Sequence, residues 1–215
     1  MKIVCISDTH GRHTKIKDLP EGDVLVSAGD FTTTGYSKTE IRKFTNWMAK
    51  QPYEHKIMIA GNHERLFEED PKRALQQINN EVIYLQDSSA VIDGVRFYGS
   101  PWQPRFFDWA FNLSRGEQIR KKWEAIPENT DVLITHGPPR DILDKAPNRL
   151  IGGLDSCGCD DLRDIIMNKL SIKAHIFGHI HKSYGRYIED DIQFVNAAIC
   201  NEEYKPLNKP IVIEI

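Results

Sequence analysis

The sequence predicts an α/β fold in which parallel and antiparallel strands are mixed, and three observations carry the prediction. Short apolar runs recur along the 215 residues. Helical patterns with capping signals lie between several of them. Two hairpin signals interrupt the alternation. Strands alternating with helices define the α/β class, and hairpins add antiparallel neighbours.

The apolar runs are KIVCIS (2–7), DVLVSAG (23–29), KIMIAG (56–61), DVLITHG (131–137) and AHIFGH (174–179). Polar residues or glycine bound each run, as in strands buried on both faces. The segment SKTEIRKFTNWMAKQ (37–51) opens with a capping box, Ser37 and Glu40. It sets Ile41, Phe44, Trp47 and Met48 on one helical face. SRGEQIRKKWEAI (114–126) repeats the device with Ser114 and Glu117, and CDDLRDIIMNKL (159–170) supplies a third helix. AVIDGVRFYG (90–99) carries Asp93-Gly94 between alternating apolar residues, a two-residue hairpin signal. GRYIEDDIQFVNAA (185–198) reads as a second hairpin with its turn at Glu189–Asp191, and IVIEI (211–215) as a closing strand. Two packed sheets accommodate this mixture. No repeat, low-complexity tract or linker divides the chain, so a single domain over 1–215 is expected.

Composition narrows the function. A net charge of -3, with Lys and Arg dispersed, argues against a long nucleic-acid partner. The densest basic cluster, RKK at 120–122, reads as a solvated helix face. The N-terminal apolar run ends at an aspartate, short of the roughly 7–15 residues of a signal-peptide core. No run approaches the roughly 20 residues of a membrane span. Cys5 reads as a core residue, and the CGC at 157–159 lacks zinc-ribbon spacing. Reduced thiols in a cytoplasmic protein are expected.

The ends of the apolar runs carry the chemistry. They read SDTH, GD, GNHE, THG and GHIH. Each motif alone is a cap, a turn or one hydrogen-bonded histidine. Together they put five of the eight histidines, with Asp8, Asp30 and Asn62, at strand carboxyl ends. Ligands of open α/β sheets bind at those ends. Asp8, His10, Asp30, Asn62, His63, His136, His179 and His181 are therefore expected to share a metal site.

The residue types constrain the metal. No cysteine stands at a strand-end ligand position, which argues against a structural thiolate zinc site. Imidazole, carboxylate and amide oxygen together suit Mn, Fe, Co, Ni or Zn. Eight residues are too many for one open site and about right for two ions with a bridging carboxylate. Two divalent ions outweigh the charge of Asp8 and Asp30, so the centre stays cationic. A bridging hydroxide as nucleophile and a phosphate ester as substrate complete the balance. His179 and His181, at i and i+2, would stand roughly 6.5–7 Å apart in an extended segment and straddle two ions.

The ordered pattern D-x-H, GD, GNHE, H, GH-x-H resembles the calcineurin-like metallophosphoesterase superfamily. YLQDS, YGSPWQPRFFDWAFNL, LITHGPP, FGHIHKSYG and NKPIVIEI extend the resemblance to the metallophosphoesterase-domain branch, sampling nearly the whole chain. The resemblance implies a four-layer α/β/β/α sandwich: two mixed sheets flanked by helices. It implies one metal, manganese favoured, on Asp8, His10, Asp30 and His181. A second would sit on Asp30, Asn62, His136 and His179. It implies His63 as the catalytic residue that faces the phosphate and protonates or stabilises the leaving oxygen. GDFTTTG departs from the pattern by offering only threonines after the aspartate, which leaves the ligand positions intact.

The substrate expected is a small phosphate ester, a nucleotide diester foremost and possibly a cyclic one. A phosphomonoesterase or protein phosphatase is the alternative on the same centre, and a non-catalytic scaffold a third reading. Arg12, His13, Trp102, Arg105 and Arg140 are the candidate substrate contacts, with arginine best suited to phosphate. Phe107 and Phe111 are expected to anchor their loop in the core.

Overall fold

The computed structural model describes residues 1–148 and 152–215. Four strands, β1 (Lys2–Ile6), β2 (Val24–Ser27), β3 (His55–Met58) and β4 (Ile83–Tyr84), run parallel in that order. A hairpin follows, β5 (Ser88–Ile92) and β6 (Val95–Ser100). Its turn is Asp93-Gly94, at φ 48 and 81. The short strands β7 (Gln103–Pro104) and β8 (Asn112–Leu113) pair with each other. After β9 (Val132–Thr135), β10 (Lys145–Pro147) and β11 (Leu154–Ser156) form a second small ribbon. Then come β12 (Ala174–Phe177) and the hairpin of β13 (Gly185–Glu189) and β14 (Ile192–Asn196). The last strand, β15 (Ile211–Glu214), returns antiparallel to β1.

Two sheets result, ordered β15-β1-β2-β3-β4 and β13-β14-β12-β9-β6-β5. The apolar clusters show how they stack. Ile3, Val26 and Ile57 of the first sheet meet Phe97, Ile134 and Ile176 of the second in one fully buried cluster. Alternation along the same strands turns Val4, Leu25 and Met58 outward. They meet α1 (Lys38–Ala49), α2 (Arg65–Glu69) and α3 (Pro71–Leu75) there. On the far side Leu133, Phe177 and Phe194 pack under α4 (Glu117–Glu124) and α5 (Asp160–Lys169). The layers are therefore α/β/β/α. Both faces of each sheet are covered, which is why the central strands read as unbroken apolar runs.

Local signals held unevenly. Ser37 caps α1 by accepting from the Glu40 N–H at 3.2 Å. Glu40 does not reach back to close the box; its carboxylate accepts from Thr33 N at 2.7 Å. The predicted cap at Ser114 fails, because the chain turns at Gly116 (φ 79) and α4 starts after it without a side-chain cap. The patterns of α2 and α3 are too short for periodicity to show, although Asp70 caps α3 and Pro71 opens it. Among the described residues no helix is long and apolar enough to cross a membrane. All four cysteines are free.

Candidate metal centre and cleft

The carboxyl ends of β1, β2 and β3 face those of β9 and β12, so the rim spans both sheets. Backbone bonds knit it: Asp8 N and His10 N donate to Gly29 O and Asp30 O, each at 3.0 Å, and Gly178 N donates to His136 O at 2.9 Å. Four of the candidate ligands have left-handed backbone: Asp8 (φ 51), His10 (φ 42), Asp30 (φ 52) and His179 (φ 66). Asp and His tolerate that region better than most residues, and such strain gathers at functional sites. Gly61 and Gly178 are required for another reason. A Cβ on either would collide with a site carboxylate, that of Asp30 or Asp8 respectively.

Three overlapping groups of ligand atoms lie within 4.8 Å of one another: Asp8, His10 and His181; His10, Asp30 and His63; Asp30, His136 and His179. Asp30 Oδ1 accepts from His63 N at 2.8 Å. Oδ2 is left facing His136 Nε2 at 3.3 Å and His10 Nε2 at 3.9 Å. Asp8 accepts from His179 N at 3.1 and 3.0 Å and approaches His181 Nε2 at 3.2 Å. Asn62 Oδ1 stands 3.0 Å from His136 Nε2 and 2.8 Å from His179 Nδ1. The segment after β12 is not extended. It turns left-handed at His179 and enters a 3-10 turn at His181–Ser183. The two histidines still fall into different groups, through the turn and not through strand spacing.

The second ring nitrogens reveal what the cluster is made to hold. His136 Nδ1 lies 2.9 Å from Ala28 O, and His181 Nδ1 lies 3.0 Å from Asn201 O. A carbonyl only accepts, so each Nδ1 carries the proton and each Nε2 turns a lone pair inward. The His136 lone pair then faces Asn62 Oδ1 and Asp30 Oδ2, acceptor against acceptors. The His181 lone pair faces Asp8 Oδ1 and, at 3.2 Å, His10 Nε2. Only a proton or a cation relieves such crowding. Burial opposes charge on Asp8 and Asp30, yet the surrounding imidazoles outweigh it, holding Asp8 at about 2 and Asp30 well below its ordinary value. Burial likewise opposes the His136 cation, but Asp30 raises that imidazole to about 9. His10 and His179 are driven down by burial, to about 4 and about 3. The donor set fits divalent metals.

His63 stands at the edge of the cluster. Its Nδ1 lies 3.2 Å from Thr33 O, and its Nε2 is 4.0 Å from Asp30 Oδ2. Its ring stacks on Trp109, centroids 4.3 Å apart at 23°. Glu64 is the hidden anchor. Fully buried, it accepts from Asp30 N, Thr32 N, Gly61 N and Thr32 Oγ1 at 2.7–2.9 Å. It thus ties the loop after β2 to the loop after β3. Burial foremost, then Asp30, raises its carboxyl to about 7.

A cleft of about 550 Å³ opens over the cluster. Its walls include Arg105, Phe106, Arg140, Lys182 and Tyr204. Phe106 meets His179 edge-on at 5.2 Å, and Tyr204 meets His10 at 4.8 Å. Arg105 and Arg140 are therefore placed where substrate contact was expected. Three other expected contacts lie outside the cleft lining. Trp102 donates from Nε1 to Asp87 Oδ2 at 2.9 Å and lies under Lys122, outside the cleft lining. His13 is buried against Phe44 and Trp47. Arg12 is half-buried and donates to His10 O at 2.9 Å. Phe107 is 76% exposed and anchors nothing, whereas Phe111 is fully buried as expected. Sequence reading missed Trp109, Glu64, Tyr204 and Gln103; only Glu64 carried a signal, adjacent to His63 in GNHE.

A four-layer sandwich that gathers histidine, carboxylate and amide at its strand ends defines a class, the metal-dependent phosphoesterases. Comparison with known proteins agrees. Residues 1–183 match the family model described as calcineurin-like phosphoesterase. Metallophosphoesterase domain-containing protein 1 of Homo sapiens and its Mus musculus namesake are each 41% identical over 236 aligned residues, spanning 100% of this chain and 71% of theirs. A UPF0046 protein of Caenorhabditis elegans is 36% identical over 100% of this chain and 81% of its own length. The chain belongs to the calcineurin-like phosphoesterase family.

Proposed function

We propose that the cluster holds two divalent transition-metal ions and that the protein, with residues 1–215 as one domain, hydrolyses small phosphodiesters, nucleotides among them. One observation carries the reading. A single oxygen, Asp30 Oδ2, faces His136 on one side and His10 on the other. Asp8, His10, Asp30 and His181 would hold one ion; Asp30, Asn62, His136 and His179 would hold the second. Carboxylates and an amide oxygen beside imidazoles favour manganese. Bound there, the ions would supply Lewis acidity and acidify a water molecule.

The chain's own residues do the rest. Stacking on Trp109 and the Nδ1–H contact with Thr33 O fix the His63 ring and hold Nε2 at the cluster's edge, where the doubly protonated ring would give its Nε2 proton to the leaving oxygen and return to the neutral form. Arg105 and Arg140 on the cleft wall meet the phosphate or its second ester arm. A cleft of about 550 Å³ suits a small ester better than a folded phosphoprotein. The free cysteines fit a reducing, cytoplasmic compartment.

The test is metal removal, manganese reconstitution, and rates on bis-p-nitrophenyl phosphate against p-nitrophenyl phosphate. The reading expects the diester to be cleaved at least about tenfold faster. A reversed preference makes the protein a monoesterase. Reconstituted protein that holds no metal and cleaves neither ester is a scaffold.

A further inference from the structure

Gln103 opens β7 on the cleft wall and is 1% exposed. Its backbone N–H donates to Phe111 O at 3.0 Å. Its side-chain amide has no such partner: both Nε2 and Oε1 are buried without a protein hydrogen bond. Buried polar groups are nearly always paired, so a carboxamide orphaned at both ends calls for an explanation. Other buried orphans exist, but among the described residues only His10 and Gln103 also line the cleft.

Its place supplies that explanation. Gly137 follows His136, and a Cβ on it would stand 3.4 Å from Gln103 Cβ. Gln103 thus packs beside the backbone that carries a candidate ligand. Pro104, Arg105 and Phe106 continue along the same wall. Phe106 is 45% exposed, and its ring stands at His179. One strip of chain therefore lines the cleft with an arginine and an aromatic ring and carries a buried, unpaired amide at its start.

We infer that Gln103 is a specificity-determining residue that reads the hydrogen-bonding edge of a nucleobase next to the phosphate site. The inference rests on the phosphoesterase reading of the same cleft. A carboxamide sets a donor beside an acceptor, and base edges carry the complement, as adenine does at N6 and N7. Neither end has a protein partner, so a base that uncovers the amide on entering the cleft can be met in either order. The amide selects a base over a ligand with no such edge, and does not by itself choose among bases. Phe106 supplies a stacking face, which every base accepts.

The test is calorimetric titration of manganese-loaded protein with adenosine and cytidine 5′-monophosphates and with ribose 5-phosphate. Wild type should bind the nucleotides at least about tenfold more tightly than ribose 5-phosphate. Gln103→Met, which keeps length and volume, should shrink that ratio to about threefold or less. Equal binding of all three by wild type, or an undiminished ratio in the variant, overturns the inference. Should the variant misfold, the Gln103 side-chain ¹⁵N–¹H signals of wild type decide. They must shift with nucleotide and not with ribose 5-phosphate. Binding needs no turnover, so a protein that binds nucleotide through Gln103 but hydrolyses nothing sinks only the phosphoesterase reading.

Discussion

Lowering the pH from 7 to 5 should weaken the fold through His175, which the cluster does not use. His175 sits on β12 in the middle of the second sheet, fully buried against Phe177 and Phe194. Thr135 Oγ1 donates to Gly137 O at 2.7 Å, so its oxygen accepts from His175 Nε2 at 2.8 Å. The neutral ring therefore carries its proton on Nε2, and buried Nδ1 has no partner. A second proton would put a charge and an unpaired N–H into an apolar layer, and burial pushes the imidazole from 6.5 down to about 3. The sign follows from linkage: between those values the unfolded chain binds the proton and the folded chain does not, so stability falls as pH falls below about 6.5. At pH 5 the unfolded state gains about 1.5 pH units of proton binding at 1.36 kcal/mol each, about 2 kcal/mol. Urea unfolding of metal-free protein at the two pH values, compared between wild type and His175→Phe, isolates this share. The variant should lose about 2 kcal/mol less than wild type. A difference below about 0.5 kcal/mol would refute the assignment.

Three further outcomes follow from the geometry. Asp30→Asn removes the charge between the two ligand sets, so metal content should fall from about two ions per chain to below about one, and activity with it. Plasma emission spectrometry reads the metal. His63→Ala should retain its metal but lose about 10²–10⁴ in kcat; an emptied site would make His63 a ligand, as its grouping with His10 and Asp30 allows. Trp102→Phe loses the bond to Asp87 and should cost about 1 kcal/mol, a Tm drop of about 2–4 °C, with KM unmoved. A raised KM would restore Trp102 to the substrate.

The candidate ligands were legible because each ends an apolar run, where strand direction delivers it to a rim. The sequence does not say that β1–β3 lie in one sheet and β9 and β12 in another; that follows from which face each strand buries. Trp102 and His13 misled because a ring with a polar atom serves packing as well as recognition, and only tertiary placement separates the two. Trp109 and Tyr204 lie in irregular segments and Gln103 in a two-residue strand, where no periodicity shows which way a side chain faces. Ser114 shows the converse: the right residues at capping spacing, undone by a glycine that turns the chain.

Crystals of the manganese-loaded protein, measured with anomalous scattering at the metal edge, test the central claim most directly. The account predicts two peaks about 3.5–4 Å apart. Asp30 should lie between them, His10 and His181 on one, His136 and His179 on the other, and His63 beyond bonding distance of both. A single peak, or two peaks with no shared Asp30 oxygen, would contradict it.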